Sequence, residues 1–183
     1  QSPSNDGTVT VETTGDTVSW EWSNDGGVNW TPVNVASGGT FELGEGIYAV
    51  GDVQVRDLDA SGNVGEVTSN PTEIKIDTTA PAAPTFVDFP SSPNTDGTVT
   101  VTLASDAASW EYSVDTGSSW TPGTGTSGTV TFDLPDGTYA TGAIQVRNSD
   151  AAGNVGGVLS SPTELEIDTT APAAPTFVDF PSS

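Results

Sequence analysis

An internal repeat with a period of about 90 residues is the feature that most constrains the fold of this 183-residue chain. Its clearest landmarks are two pairs of identical segments: DGTVTV at 6–11 and 96–101, and DTTAPAAPTFVDFPSS at 77–92 and 168–183. The offset is 90 residues up to the segment before Phe132 and 91 residues after it, because one residue is inserted there. Self-similarity at this period predicts a tandem array in which each copy is one structural unit.

The phase of the repeat predicts three parts of the chain. Residues 1–80 form a first immunoglobulin-like repeat that lacks its first strand, 81–171 form a second and complete repeat, and 172–183 contribute the first strand of a following repeat. The reason is the segment TFVDF, which opens the second repeat at 85–89 and recurs at 176–180 but has no copy before the first repeat. Because the sequence starts at Gln1 without Met, we expect a piece of a longer array.

Alternating apolar and polar residues in 99–103 and 109–113 are typical of strands with one buried face. Glycine, asparagine and proline turn signals recur between such segments. In the second repeat we predict strands at about 85–89, 98–103, 109–115, within 120–134, 139–149 and 157–167. About seven short strands per repeat predict an all-β fold of tandem immunoglobulin-like β-sandwiches arranged end to end.

Aromatic residues mark the predicted core and one predicted corner. Trp20 and Trp22, with Trp110 and Tyr112 at the equivalent places, lie where the third strand of such a sandwich supplies its buried anchor. The segments EGIY at 45–48 and DGTY at 136–139 are typical of the corner at which a tyrosine hydroxyl bonds back to the chain. Both features support the sandwich.

Composition excludes most chemistry. The chain has 25 acidic and 3 basic residues, a formal charge of −22, and no cysteine, histidine or methionine. It therefore has no Ser-His-Asp triad, no cysteine nucleophile and no zinc site of the usual kind. Three cations cannot build a nucleic-acid surface, and no segment approaches the ~20 apolar residues of a membrane span. The acidic surface favours cations as partners, and we expect no catalysis.

The pattern Ser-x-Asp-x-Gly-x-x-Trp occurs at 23–30 and again at 113–120. It matches the Asp-box of sialidase-type propellers, but here it occurs once per repeat, and two arginines cannot form a sialidase arginine cluster. We therefore interpret it as a hairpin whose aspartate caps the turn and whose tryptophan covers the edge of the core.

Oxygen-bearing side chains cluster at the predicted turn after 139–149 and at its equivalent in the first repeat. Asp57 and Asp59 project to the same side of an extended segment, and Asn63 returns after the Gly62 turn. Hard oxygen ligands at this spacing suit Ca²⁺, although an ordinary Asx turn has the same composition. Sandwich topology would bring the exit of one repeat to this loop of the next, which favours a calcium site at each junction. The candidate ligands are Asp57, Asp59, Asn63, Asp77, Asn148, Asp150, Asn154 and Asp168.

Taken together, the Asp-box, the Gly-x-Tyr and Gln-Val-Arg segments, Asp-x-x-Gly-Asn-Val and the ending IDTTAPAAP resemble the bacterial immunoglobulin-like repeats of giant surface adhesins, including RTX-type and biofilm-associated extender domains. The resemblance implies an extracellular, calcium-stiffened array on the bacterial cell surface, where it would hold a terminal adhesion domain away from the cell as a fibre or stalk. Its partners would be neighbouring repeats or identical subunits, head to tail. Asn148, where the first repeat has Asp57, departs from the acidic pattern and lowers the charge of that junction.

Two alternatives stay open. If the chain is itself a subunit, the strand formed by Thr176, Phe177, Val178, Asp179 and Phe180 could complete the first repeat of another subunit and build a filament. Alternatively, exposed Trp30 or Trp120 could stack on sugar rings in a carbohydrate- or surface-binding module.

Overall fold

The computed structural model describes residues 3–13 and 15–178. Within these residues the secondary structure is entirely β, with 17 strands and no helix. The chain divides into two compact units. The first contains the described residues up to Pro81 together with Ser149–Gly156; the second contains Ala82–Asn148 and the described residues from Gly157 onward. A search of the described residues for helices long and apolar enough to cross a membrane finds none.

The first unit is built from antiparallel strands in three small sheets, ordered β1–β4, β3–β2–β6–β7 and β5–β8. Its strands are β1 (Thr8–Val11), β2 (Ser19–Ser23), β3 (Thr31–Val33), β4 (Gly39–Glu42), β5 (Gly46–Tyr48), β6 (Gln54–Leu58), β7 (Thr68–Ser69) and β8 (Ile74–Ile76).

The second unit repeats this plan with one additional strand. Its sheets are ordered β13–β10–β9, β12–β11–β15–β16 and β14–β17. Its strands are β9 (Thr85–Asp88), β10 (Thr98–Thr102), β11 (Ser109–Ser113), β12 (Thr121–Pro122), β13 (Thr129–Asp133), β14 (Gly137–Tyr139), β15 (Gln145–Ser149), β16 (Leu159–Ser160) and β17 (Leu165–Ile167).

The long strands predicted over 139–149 and 157–167 are each interrupted. The first divides into β14, which pairs with β17, and β15, which pairs with β16 in another sheet. A turn separates them, with Gly142 at φ 78° and the amide of Ala143 donating to the carbonyl of Ala140 at 2.9 Å. The interruption lets one stretch of chain leave one sheet and enter the next.

The predicted aromatic anchors form the centres of the two cores. Trp20 is fully buried and Trp110 is 2% exposed. Their neighbours on the same strands, Trp22 and Tyr112, are half-buried, and each stacks at 4.4 Å on the phenylalanine of the facing strand, Phe41 or Phe132. The prediction that these residues anchor the cores is confirmed.

The predicted tyrosine corner is present in both units. The Tyr48 hydroxyl donates to the carbonyl of Gly44 at 3.0 Å, and the Tyr139 hydroxyl donates to the carbonyl of Pro135 at 2.8 Å. Each bond spans four residues and fixes the turn that precedes β5 or β14. Burial, with the nearby Asp136 charge, raises the pKa of Tyr139, so the hydroxyl stays a donor at neutral pH.

Candidate functional site

The aspartate of each Asp-box holds its hairpin turn with several hydrogen bonds. Asp25 accepts from the Ser23 hydroxyl at 2.7 Å and from the backbone and side-chain amides of Asn29 at 2.9 and 2.6 Å. Asp115 makes the equivalent bonds with Ser113 and Ser119. These contacts confirm that the aspartate caps the turn.

The same hydrogen bonds make both carboxyl groups unusually acidic. The Asn29 backbone amide, with Ser23 and the Asn29 side chain, lowers the pKa of Asp25 to about 2. Side-chain and backbone bonds from Ser119, with Ser113, lower the pKa of Asp115 to about 2. The donors satisfy the charge of each carboxylate locally, so the Asp-box acts here as a structural turn.

The tryptophan of each Asp-box belongs to a cross-strand stack that the sequence reasoning missed. The Arg56 guanidinium lies 3.9 Å from the Trp30 ring centroid and forms a 2.6 Å ion pair with Glu21, its register partner on β2. The Trp30 indole N–H donates to the Gly27 carbonyl at 2.9 Å. Because the Arg56 guanidinium covers one face of the Trp30 ring and the indole N–H is already hydrogen-bonded, these contacts hold the ring in place within its own unit.

The second unit repeats this stack with Trp120, Arg147 and Glu111. Arg147 lies 3.9 Å from the Trp120 ring centroid and 2.8 Å from the Glu111 carboxylate. Both tryptophans are half-buried, and neither belongs to the central core. Alternating outward positions on β2 and β6 are the signal from which pairing of glutamate with arginine could have been predicted.

In the first unit, the predicted calcium ligands Asp57 and Asp59 already accept hydrogen bonds from protein donors. Asp59 accepts from the backbone amides of Ser61 and Asn63, each at 2.8 Å, and from the Asn63 side-chain amide at 2.7 Å. The Asn63 bonds, side chain first, lower the pKa of Asp59. Asp57 accepts from the Thr17 hydroxyl at 3.2 Å. The arrangement is that of an Asx-type turn.

Asp150 and Asn154 form the same turn more tightly. One Asp150 oxygen accepts backbone amides from Ala152, Gly153 and Asn154 at 2.8–2.9 Å, and the other accepts the Asn154 side-chain amide at 2.8 Å. Burial acts to raise the pKa of Asp150, but the hydrogen bonds, led by those of Asn154, outweigh it and lower the pKa.

Asp77 meets this loop through its backbone. The Asn154 side-chain amide donates to the Asp77 carbonyl at 2.6 Å, and both residues lie in the first compact unit. The Asp77 carboxylate accepts instead from the Thr79 amide at 3.3 Å and lies 3.3 Å from the Lys75 ammonium. The predicted meeting of Asp77 with Asn154 is therefore present, but as an amide-to-carbonyl hydrogen bond.

The remaining predicted ligands lie elsewhere. Asn148 is fully buried in the second unit, where its amide nitrogen donates to the Ala82 carbonyl at 3.1 Å. Asp168 is exposed and accepts the Thr170 amide at 2.9 Å. Of the predicted donor strand, Thr176, Phe177 and Val178 are exposed, and Asp179 and Phe180 lie outside the described residues.

These positions allow a test of whether the side chains fit Ca²⁺, which takes about six to eight oxygen ligands. No group of three or more acidic side chains in the described ranges is placed to hold a metal ion. The Asp59 and Asp150 oxygens already accept several N–H donors, and Asn148 is turned into its own core. As placed, the donor set does not fit a calcium site, and calcium binding stays a prediction.

Comparison with solved structures supports the fold class. The sequence matches no family model and no curated protein. The fibronectin(III)-like modules of Clostridium thermocellum CbhA superpose with a TM-score of 0.54 at 14% identity, over 91% of this chain and 92% of that chain. The FN1–FN3 domains of chicken CNTN1 give 0.47 at 13% identity over 87% and 64%, and a cytokine receptor complex gives 0.40 at 16% over 92% and 94%. The similarity to the CbhA modules shows an immunoglobulin-like β-sandwich of the fibronectin(III) kind, and no more than the fold.

Proposed function

We propose that this chain is part of a non-catalytic spacer on the bacterial cell surface, a run of β-sandwich repeats that separates a terminal binding domain from the cell. The observation that carries the proposal is the internal use of the repeated polar residues. In both units the Asp-box aspartate, the arginine on tryptophan and the corner tyrosine bond to their own unit. The polar residues that the two repeats share therefore stabilise the fold of each repeat. A spacer requires stable repeats and no binding site in each of them.

Charge supports the same proposal. Each of the three basic side chains lies beside a carboxylate of its own unit: Arg56 with Glu21, Arg147 with Glu111 and Lys75 with Asp77. The three basic residues pair with three carboxylates, so the formal charge of −22 resides on the other carboxylates, most of which face solvent. Such a surface keeps protein copies apart and soluble, which suits a stalk better than a surface that must hold an anionic ligand.

The test is the dimension of longer arrays. Proteins carrying two, four and six copies of the repeat should show, by small-angle X-ray scattering, a maximum dimension that grows by an equal increment for each added pair. The control inserts a glycine- and serine-rich segment after Ala80, an exposed residue between consecutive repeats, which allows a flexible chain and keeps the buried Pro81 and Pro84 in place. A maximum dimension that levels off in the native series as it does in the control would contradict the spacer.

Calcium stiffening is tested separately. Because Asp150 and Asp59 are satisfied by their own loops, we expect the same melting temperature with excess calcium and with chelator. Differential scanning calorimetry at moderate salt measures it, with magnesium as the control for general charge screening. A rise produced by calcium and not by magnesium would support the predicted calcium site, and equal melting temperatures would contradict it.

A further inference from the structure

A short segment of identical sequence follows the last strand of each unit. We call residues 77–79 and 168–170, which both read Asp-Thr-Thr, the exit segments of the first and the second unit. They come directly after β8 and β17, and all four of their threonines are exposed. Exposed chain beyond the end of a strand is poorly ordered unless contacts tie it down. The contacts of the exit segments therefore decide where the ordered part of each unit ends.

The aspartate of each exit segment makes a turn. The Asp77 carboxylate accepts the Thr79 amide at 3.3 Å, and the Asp168 carboxylate accepts the Thr170 amide at 2.9 Å. An aspartate that accepts the amide two residues later forms an Asx turn. The chain thus turns as soon as it leaves the strand, and the two threonines lie within this turn.

In the first unit, both threonine hydroxyls bind one carboxylate at the tyrosine corner. Thr78 and Thr79 donate to the same oxygen of Glu45, at 2.9 and 2.8 Å. Glu45 comes directly after Gly44, whose carbonyl accepts the Tyr48 hydroxyl. The corner therefore holds in place the residue that binds the exit segment.

The second unit makes the same contact with a shorter side chain. One oxygen of Asp136 accepts the Thr169 hydroxyl at 2.7 Å and the Thr169 amide at 3.1 Å, and the other accepts the Thr170 hydroxyl at 3.2 Å. Asp136 also follows a corner carbonyl, that of Pro135, which accepts the Tyr139 hydroxyl. Glutamate in one unit and aspartate in the other thus reach the same pair of threonines. We call Glu45 and Asp136 the corner carboxylates.

The threonine donors favour the charged form of both corner carboxylates. The Thr79 hydroxyl, followed by that of Thr78, lowers the pKa of Glu45, and the nearby Lys75 charge adds the smallest contribution. The Thr169 hydroxyl and amide lower the pKa of Asp136. Hydrogen bonds to a carboxylate lower its pKa because they stabilise the ionised group. Bonds to an ionised acceptor are also stronger than bonds between neutral groups.

We propose that each corner carboxylate and the two threonines of its exit segment form a latch that fastens the chain beyond the last strand to its own unit. Free chain then begins after Thr79 and Thr170, and not after Ile76 and Ile167, where the strands end. Each residue of the repeated Asp-Thr-Thr sequence has a part in this device, since the aspartate makes the turn and the threonines bind the corner. The latch is a property of each unit, and it goes beyond the spacer role and does not depend on it.

Nitrogen-15 relaxation tests the latch, because the heteronuclear NOE of each amide reports backbone motion on the picosecond to nanosecond timescale. In the wild-type chain, Thr79 and Thr170 should have NOE values equal to those of β8 and β17. The double variant Thr169→Val, Thr170→Val keeps the shape of both side chains and removes both hydroxyl donors. The NOE of residue 170 should then fall below that of β17, while Thr79 keeps its wild-type value. The exit segment of the first unit is thus the matched control within the same molecule.

A second variant removes the acceptor. Asp136→Ala should speed hydrogen exchange of the Thr169 amide about tenfold, the factor expected from one lost hydrogen bond. Glu164→Ala is the control, since it removes an exposed carboxylate of the same unit that is not part of the latch. A wild-type NOE at Thr79 and Thr170 already below that of the strands would overturn the proposal. So would an unchanged NOE in the double valine variant, or equal acceleration of exchange by Glu164→Ala and Asp136→Ala.

Discussion

The two repeats share their polar framework and differ in how completely their cores are closed. Trp20 is fully buried and Phe41 is 6% exposed in the first unit, although the described residues of that unit include no strand equivalent to β9. Yet Val55 is partly exposed where Val146 is fully buried. The comparison shows that the central aromatic cluster forms within the common strands, whereas the aliphatic residues along the β1 edge depend on a segment that the common strands do not include.

The units also differ beside the central tryptophan. In the first unit, Val33 pairs with Trp20, whose indole N–H is buried without a hydrogen-bond partner. In the second, Gly123 occupies the equivalent place, and the Trp110 N–H donates to the Thr124 carbonyl at 3.2 Å. Two tryptophans at the same place in the repeat are thus held by different neighbours.

The largest loss of stability is expected from a substitution at Gly123, which tests the different packing around Trp20 and Trp110. In Gly123→Val the first side-chain carbon would overlap the Trp110 ring, so the strand must move. We expect the second unit to lose about 3 kcal/mol of stability or more. Urea unfolding followed by amide hydrogen exchange on β10 measures it, with Val33→Gly in the first unit as the matched variant. Wild-type exchange rates in Gly123→Val would show that the packing around the two tryptophans is interchangeable.

The next effect concerns the buried amide. Asn148→Asp places a carboxylate against the Ala82 carbonyl in a fully buried position, which should cost about 2–3 kcal/mol near neutral pH. The loss should shrink as acid protonates the new carboxyl, and chemical unfolding across a pH series follows it. Asp57→Asn is the control, and we expect it to be neutral or stabilising. Equal destabilisation by both changes would contradict the different roles assigned to Asn148 and Asp57.

A smaller effect isolates the added strand. Phe86→Ala removes a partly buried ring from the second core and should cost about 2 kcal/mol. Phe177→Ala changes the same residue in an identical sequence, but Phe177 is 83% exposed, so we expect this variant to lower the unfolding midpoint less than Phe86→Ala does. Thermal or urea unfolding at low protein concentration compares the two. A similar loss from both would mean that the end segment is packed in the monomer.

The smallest effect is one that the two units share. The folded-state pKa of Asp115 is about 2, below its ordinary value of 3.8, so its contribution to stability is present above about pH 4 and is lost as the pH falls towards 2. Asp115→Asn should therefore lower the melting temperature at neutral pH, and the difference from wild type should narrow in acid. Asp25→Asn should behave alike. A difference that is independent of pH would indicate that the turn does not depend on the charge.

Local chemistry made much of this fold predictable. Alternation placed Trp20 and Trp110 in the cores, and the short Gly-x-Tyr spacing identified both tyrosine corners. The Asp-box turns followed from residues within eight positions of one another, since the bonds of Asp25 span at most four residues. Features of this kind depend on residues that are close together in the sequence, so the sequence alone predicts them.

What the sequence did not indicate depends on register and on backbone position. The stacking of Arg56 on Trp30 requires two strands to align, and the breaks within 139–149 and 157–167 require strands to change sheets. The sequence also assigned Asn154 and Asp77 as oxygen ligands of one ion. The backbone instead presents the Asp77 carbonyl to the Asn154 amide. Residue types predicted that these two meet, but not which atoms do.

Gly123 has a consequence for how neighbouring copies fold. Adjacent near-identical repeats in one polypeptide risk exchanging strands during synthesis and becoming trapped in mixed domains. The segment of the first repeat that contains Val33 cannot replace the segment around Gly123, because its side chain would occupy the space of the Trp110 ring. The absence of a side chain at Gly123 thus keeps that hairpin with its own repeat.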